Sequence, residues 1–284
     1  MTQTPTQLVR AQKLDKFYTN DTTVDKCMNI LYSKFDYSDF DLTIEPSAGN
    51  GAFLKKIIGR YQAFDIEPES ENITKMDFFN YKPDNELNKI LVVGNPPFGK
   101  CSSLAVKFFN HSAGFAEVIA FIIPRTFRRI SIQNRLDLNF ELVEDIELSV
   151  NPCCFSVPVS VKCCFQIWKR NKTPRQKIPL NMTHPHFSFV SNGPNDENSQ
   201  PTPPSTADFA IKAYGGKCGE ICEKDLYKLR PKSWHFIKCN SIIDLENLKK
   251  NFKSLDYKIS NDSARQNSIG RSDLVNLYYK TIES

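Results

Sequence analysis

Asn95-Pro96-Pro97-Phe98 follows directly on the apolar run Ile90-Leu91-Val92-Val93-Gly94. A strand that ends in Asn followed by two prolines holds a side-chain amide oxygen and a backbone carbonyl on a stiffened turn, with an aromatic ring beside them. The Asn95 side-chain oxygen and the Pro96 carbonyl are two acceptors, and a planar exocyclic amine carries two protons. Accepting both would pull the nitrogen toward tetrahedral geometry as charge develops on it, while Phe98 stacks on the attached ring. Pro97 completes the stiff turn.

Three further segments supply complementary chemistry. Leu42-Thr43-Ile44-Glu45-Pro46-Ser47-Ala48-Gly49-Asn50-Gly51-Ala52-Phe53-Leu54 reads as a strand, a small-residue loop and a helix, with Gly49 and Gly51 letting the backbone approach a ligand closely. The loop lacks the third glycine and the Lys-Ser/Thr ending of a phosphate-binding loop, and Glu45 ahead of it would repel phosphate and suit an ammonium group. Tyr61 to Pro68 then follows at βαβ spacing and ends in acid, where Asp65 can accept from both hydroxyls of a ribose, with Glu67 as the second choice. In Ile73 to Phe79, Asp77 can accept from an adenine amine and Phe78 can cover its face.

These residues resemble, in type and order, the motifs of S-adenosylmethionine-dependent N6-adenine methyltransferases. Asn95 to Phe98 resembles their amine-binding motif, Glu45-Pro46-Ser47-Ala48-Gly49-Asn50-Gly51 their cofactor loop, Asp65-Ile66 their ribose-binding strand end, and Lys16-Phe17-Tyr18-Thr19 the motif that lies N-terminal in the gamma-order enzymes and touches the methionine end of the cofactor. The resemblance covers residues 13 to about 168. It implies S-adenosyl-L-methionine as cofactor, held by Phe17, Tyr18, Thr19, Glu45, Pro46, Ala48, Gly49, Gly51, Asp65, Ile66, Asp77, Phe78 and Asn95. It also implies catalysis by positioning at Asn95 to Phe98, with no covalent enzyme intermediate and no metal. A base in nucleic acid, DNA or RNA, would have to leave its stack to enter such a pocket. Two rivals are a protein-amide methyltransferase, since release-factor glutamine enzymes carry a similar Asn-Pro-Pro-Tyr, and an inactive cofactor-binding subunit that presents nucleic acid to a protein partner.

The elements that must position these residues alternate. Val24, Cys27, Met28, Ile30 and Leu31 form an apolar stripe at helical spacing after Asp21 and Thr22, Ser102 to Ser112 reads as a helix, and Glu117 to Pro124 as a buried strand. Phe140 to Leu148 and Val157 to Trp168 are the last two strand candidates. Alternating strands and helices predict a mostly parallel sheet with its ligand beyond the strands' carboxyl ends. The resemblance adds that the sheet has seven strands with an antiparallel final one, in the Rossmann-like α/β fold of class I methyltransferases. Phe155, between the last strands, is a candidate second wall for a flipped base or a plug on the core. Arg125, Arg128 and Arg129 form a basic cluster just past the Pro124 strand end and are candidate phosphate contacts.

Composition narrows the class. The chain has 284 residues, 40% of them hydrophobic, and a net charge of +5, enough for a real core and compatible with a nucleic-acid partner without requiring one. Nine cysteines, an odd number, read as reduced thiols. The pairs Cys153-Cys154 and Cys163-Cys164 would point to opposite faces of a strand, which does not suit a zinc site. No apolar run is long enough to span a membrane and the first residues lack a signal-peptide pattern, which predicts an intracellular protein, cytoplasmic or nuclear. The chain divides into a catalytic domain over 1–170, a proline-rich linker or insertion over 171–206 and a small α+β region over 207–284 for substrate recognition or an accessory role. In the middle segment Thr183 to Val190 reads as more ordered, with His184 and His186 as surface imidazoles. In the last, Lys228 and Lys232 beside Tyr227 and Trp234 suit either backbone contact plus base stacking or an ordinary half-exposed strand pair with solvated lysines.

Overall fold

A computed structural model describes residues 17–157 and 159–282, and the chain forms two compact units, Met1–Lys177 and Ile178–Ser284. The first is built on a seven-stranded sheet of β1 (Leu42–Glu45), β2 (Tyr61–Asp65), β3 (Thr74–Lys75), β4 (Ile90–Gly94), β5 (Val118–Pro124), β6 (Phe140–Glu147) and β7 (Cys163–Arg170). Their order is β3-β2-β1-β4-β5-β7-β6, with β7 antiparallel to both neighbours and the remaining pairings parallel. This is a Rossmann-like class I methyltransferase fold. The order reverses between β1 and β4, so the crevice past their carboxyl ends is where such a sheet holds a ligand. β4 and β5 are buried along their whole length, as their unbroken apolar sequences require of strands covered on both faces.

Helix α1 (Asp21–Lys34) buries Val24, Cys27, Met28 and Leu31 and is capped by Asn20, whose side chain accepts from the Thr23 amide. Helix α2 (Ser103–Ser112) packs Ala105, Val106 and Phe109 into the core on Trp168 and Phe140, and a four-residue α3 (Ile130–Gln133) follows β5. Two expected elements differ. The helix expected after Gly51 is only a 3₁₀ turn over Leu54–Lys56, ended by Ile57 in extended conformation and Gly59 at φ +90° ahead of β2. The strand expected over Val157 to Trp168 starts only at Cys163, since the Val161 amide donates to the Val159 carbonyl in a local turn in place of a ladder bond.

The second unit is an α+β unit. Its antiparallel sheet runs β10 (Ile221–Cys222), β9 (Phe209–Lys212), β11 (Trp234–Cys239), β8 (Phe187–Phe189), and carries α4 (Leu245–Ser254) and α5 (Arg271–Ile282). Phe209, Ile211, Ile237, Leu248, Phe252, Leu274 and Tyr278 make a core of its own. The unit begins within the stretch expected as linker, and β8 comes from it. His184 is buried at 4% exposure, its ring stacked on Phe187 and its Nδ1 accepting from the His186 amide. The surface-imidazole expectation is corrected for that residue: aromatic neighbours absorb its ring. No helix among the described residues is long and apolar enough to cross a membrane.

Candidate active site

A cavity of about 240 Å³ opens beyond the carboxyl ends of β1, β2 and β4. Its lining brings together Phe17, Tyr18, Thr19, Glu45, Pro46, Ala48, Gly49, Asp65, Ile66, Asp77, Phe78, Asn95 and Pro97, which the sequence places far apart. Among the described residues that line it, three are acids and none is Lys, Arg or His, a balance that suits a ligand carrying positive charge.

Two glycines shape the loop after β1. Gly49 has φ +53°, and a Cβ there would stand 3.2 Å from Tyr18 Cε1, so the ring lies directly against the loop backbone. Gly51 has φ +76° and donates its amide to the Ala48 carbonyl in a tight turn. It does not line the cavity, so its part is conformational. The loop is fixed to β2 by Asp65, buried at 6% exposure, whose carboxylate accepts from the Gly49 amide and the Glu67 amide, both at 2.8 Å. Ser47 Oγ donates to the Asn95 carbonyl at 3.2 Å, joining the same loop to the turn after β4.

Glu45 closes β1 at 2% exposure, and its Oε2 has no hydrogen-bond partner. Burial first, and then the Asp65 carboxylate, hold its carboxyl well above the usual carboxylate range, against a Leu54 amide that favours the anion. A group that binds its proton more readily when folded costs stability as pH rises above the ordinary carboxylate value of 4.5. That cost grows until the folded-state carboxyl itself ionises. Glu45→Gln removes the ionisation, so the ligand-free variant should melt above the parent at pH 8 and level with it near pH 4. If Glu45 receives an ammonium, the same variant should bind a cationic ligand about tenfold more weakly at neutral pH, the scale of one charge-assisted hydrogen bond. Equal melting at pH 8 would show that Glu45 carries no such cost.

Asn95 is the decisive side chain. Its Nδ2 donates to the Phe17 carbonyl at 2.6 Å and to Thr19 Oγ1 at 3.2 Å. A carbonyl only accepts, so the amide cannot be turned the other way. The Oδ1 atom is thereby directed away from the Phe17–Thr19 segment; it is buried without a partner, on a residue that lines the cavity. An orphaned acceptor of this kind is costly unless a ligand supplies the proton.

Several expected site residues stand elsewhere. Pro96 is buried and does not line the cavity. Phe98, at 6% exposure, turns its ring into the core against Phe17, at 5.8 Å between centroids, and its carbonyl accepts from the Leu104 and Ala105 amides at the start of α2. It supports the turn from behind and does not face the cavity. Phe155 is the plug and not the second wall: at 3% exposure it packs 5.5 Å from Phe17, and its residue bridges Thr19. Arg125 is buried at 7%, donating to the Leu148 and Cys163 carbonyls and pairing with Glu147 at 2.7 Å, so it is a core residue and not a phosphate contact. Arg128 is likewise spent, gripping Asp145 at 2.6 Å and reaching Glu147 at 3.4 Å. Both acids lie on β6, which the helical 3₁₀ turn after β5 faces once β7 is inserted between the strands. Arg129 follows that turn and is half-buried. Lys228 and Lys232 are exposed in the second unit, the first pairing with Asp225 at 3.0 Å and the second donating to Gln200 at 2.8 Å.

Other lining residues were given no individual role from the sequence. Phe79, 37% exposed, lies beside Phe78, which is itself stacked on Phe108 and Tyr81. Leu104 and Phe108 enter from α2, and Ser47, Asn50, Ala52, Phe53 and Met76 complete the wall. Phe79 was signalled only by adjacency to Phe78; the α2 residues carried no signal apart from helix periodicity. The nine cysteines are free, and among the described residues no group of three or more His, Cys, Asp or Glu could hold a metal ion.

No protein-family model matches the chain, and no curated protein matches it in sequence. Among solved structures, a Pyrococcus horikoshii protein provisionally described as an RNA methyltransferase is similar with a TM-score of 0.42 and 12% identity, over 56% of this chain and 88% of that one. The N-methyltransferase NodS of Bradyrhizobium japonicum is similar at 0.39 and 12%, over 52% and 94%. The 1,6-didemethyltoxoflavin-N1-methyltransferase of Burkholderia thailandensis, solved with S-adenosylhomocysteine, is similar at 0.38 and 10%, over 54% and 80%. The fold assignment stands on this chain's own strand order.

Proposed function

We propose that the first unit binds S-adenosyl-L-methionine and transfers its methyl group to an exocyclic amine, the N6 amine of adenine in nucleic acid. The observation that carries this reading is Asn95, a cavity-lining residue whose amide is locked by Phe17 and Thr19 with its Oδ1 buried and unpartnered. That is an acceptor waiting for an N–H.

The residues present fit the cofactor. Glu45, with an orphaned buried oxygen, would receive the methionine ammonium. Asp65, at the end of β2 in the cavity wall, would accept from the ribose hydroxyls. Ile66, Asp77, Phe78 and Phe79 offer an apolar slot with one acid for adenine and its amine. The excess of lining acids suits a ligand that carries a sulfonium. When bound, S-adenosylmethionine supplies an electrophilic methyl group. The chain's own part is then to hold the acceptor amine in line, with Asn95 Oδ1 accepting one amine proton and favouring the charge that develops on nitrogen, in a site screened from water.

The choice of adenine rests on the Asn-Pro-Pro-Phe spelling, and a base would have to be single-stranded or extruded to reach the cavity. Nucleic acid is the proposed substrate class, with DNA and RNA as separate arms of the test. Incubation with isotopically labelled S-adenosylmethionine and matched DNA and RNA pools, followed by nucleoside mass spectrometry, should place the label on N6-methyladenine in one pool. Label on another base, or on protein glutamine, would overturn the adenine reading and leave methyl transfer standing. Absence of cofactor binding by calorimetry would overturn both.

A further inference from the structure

Asn95 does not hold its own orientation. The two atoms that fix its amide belong to the segment Phe17–Thr19, which crosses the cavity wall between the loop after β1 and the turn after β4. This strap has three other ties. The Ser156 amide donates to the Tyr18 carbonyl at 2.8 Å, and Thr19 bridges Phe155. At the following residue, the Asn20 amide donates to the Cys154 carbonyl and its side chain to the Cys153 carbonyl, at 3.1 and 2.7 Å. The third tie is on the solvent side, where the Tyr18 hydroxyl donates to the Glu69 carboxylate.

Glu69 itself is anchored to the loop, its amide donating to the Gly49 carbonyl at 3.1 Å. Tyr18 therefore lies across Gly49 with its ring on the loop and its hydroxyl on the residue that loop holds. We propose that Glu69 is a positioning residue for the Asn95 amide: through Tyr18 it latches the strap over the cavity, and the latched strap sets where Asn95 Oδ1 points. Closing the cavity over a bound molecule and aiming the catalytic acceptor are then one event. Burial first, and then the Glu69 carboxylate, push the Tyr18 phenol up, so the phenol keeps the proton it donates. This inference rests on the methyl-donor reading for the identity of the bound molecule, and on geometry alone for the latch.

The test uses the full-length protein with Glu69→Ala, Glu69→Gln, Tyr18→Phe and the double variant Tyr18→Phe with Glu69→Ala. The probe is S-adenosylhomocysteine, followed by its dissociation rate. Glu69→Ala and Tyr18→Phe should each speed dissociation about tenfold, the double variant no more than either alone, and Glu69→Gln, which keeps an acceptor oxygen, should restore most of the wild-type rate. Additive effects in the double variant, or a wild-type rate in Glu69→Ala, would overturn the latch. Hydrogen exchange supplies the readout that needs no ligand: the Ser156 and Asn20 amides should exchange faster in Glu69→Ala and at the parent rate in Glu69→Gln. Unchanged exchange in Glu69→Ala would also overturn the proposal. If the wild-type protein failed to bind the probe, the methyl-donor reading would fall, while the exchange comparison would still decide the latch.

Discussion

Asn95→Ala should reduce methyl transfer by about a hundredfold or more, the scale for deleting one preorganised contact to a charge-developing atom. The structure adds a second consequence to that deletion. Asn95 gives up not only Oδ1 but the Nδ2 bonds to the Phe17 carbonyl and Thr19 Oγ1, so the strap over the cavity is loosened as well. Cofactor affinity should therefore fall, but by less than about tenfold, since a neutral hydrogen bond contributes roughly 0.5–1.5 kcal/mol. Asn95→Asp separates the two roles. It offers an oxygen to the amine but has no proton for the Phe17 carbonyl, and should be as slow as the alanine variant. Single-turnover rates at saturating cofactor, with calorimetry for affinity, measure both. A variant that loses cofactor binding in proportion to its rate would mean that Asn95 serves the cofactor and not the amine.

Asp65→Ala should show the opposite pattern, a large loss of affinity with a stability cost attached. Its carboxylate answers the Gly49 and Glu67 amides in a buried position, and deleting it strands donors at a cost of about 1–3 kcal/mol. The melting temperature should drop accordingly. If Asp65 accepts from both ribose hydroxyls as proposed, its removal should weaken S-adenosylmethionine by roughly 1.5–3 kcal/mol, and the loosened Gly49 loop adds to that loss. Calorimetry performed well below the variant's melting temperature keeps the two effects apart. Wild-type affinity in a destabilised variant would make Asp65 a purely structural strut and pass the ribose role to Glu67.

The order of chemistry along this chain was legible in its sequence because each feature is local. A glycine pair after a strand, an acid at the end of the next strand and Asn-Pro-Pro after another each restrict the backbone within a few residues. The alternating elements then oblige all three to lie at one edge of a parallel sheet. Glu45, Asp65, Asp77 and Asn95 meet in one cavity for that reason.

What only the tertiary structure decided is which side chains face the cavity and which are already engaged. Arg125 and Arg128 read as a free basic cluster until the antiparallel arrangement of the last strands brings Asp145 and Glu147 against them, a pairing no local pattern encodes. Phe98 read as a wall for a base and Phe155 as either a wall or a core plug, and both close on Phe17, because a ring beside a buried turn stabilises more by leaving water than by lining a cavity. The orientation of the Asn95 amide belongs to the same class. The residue type gave it an oxygen and two protons, and two acceptors more than seventy residues away engage the Nδ2 protons and leave Oδ1 without a partner.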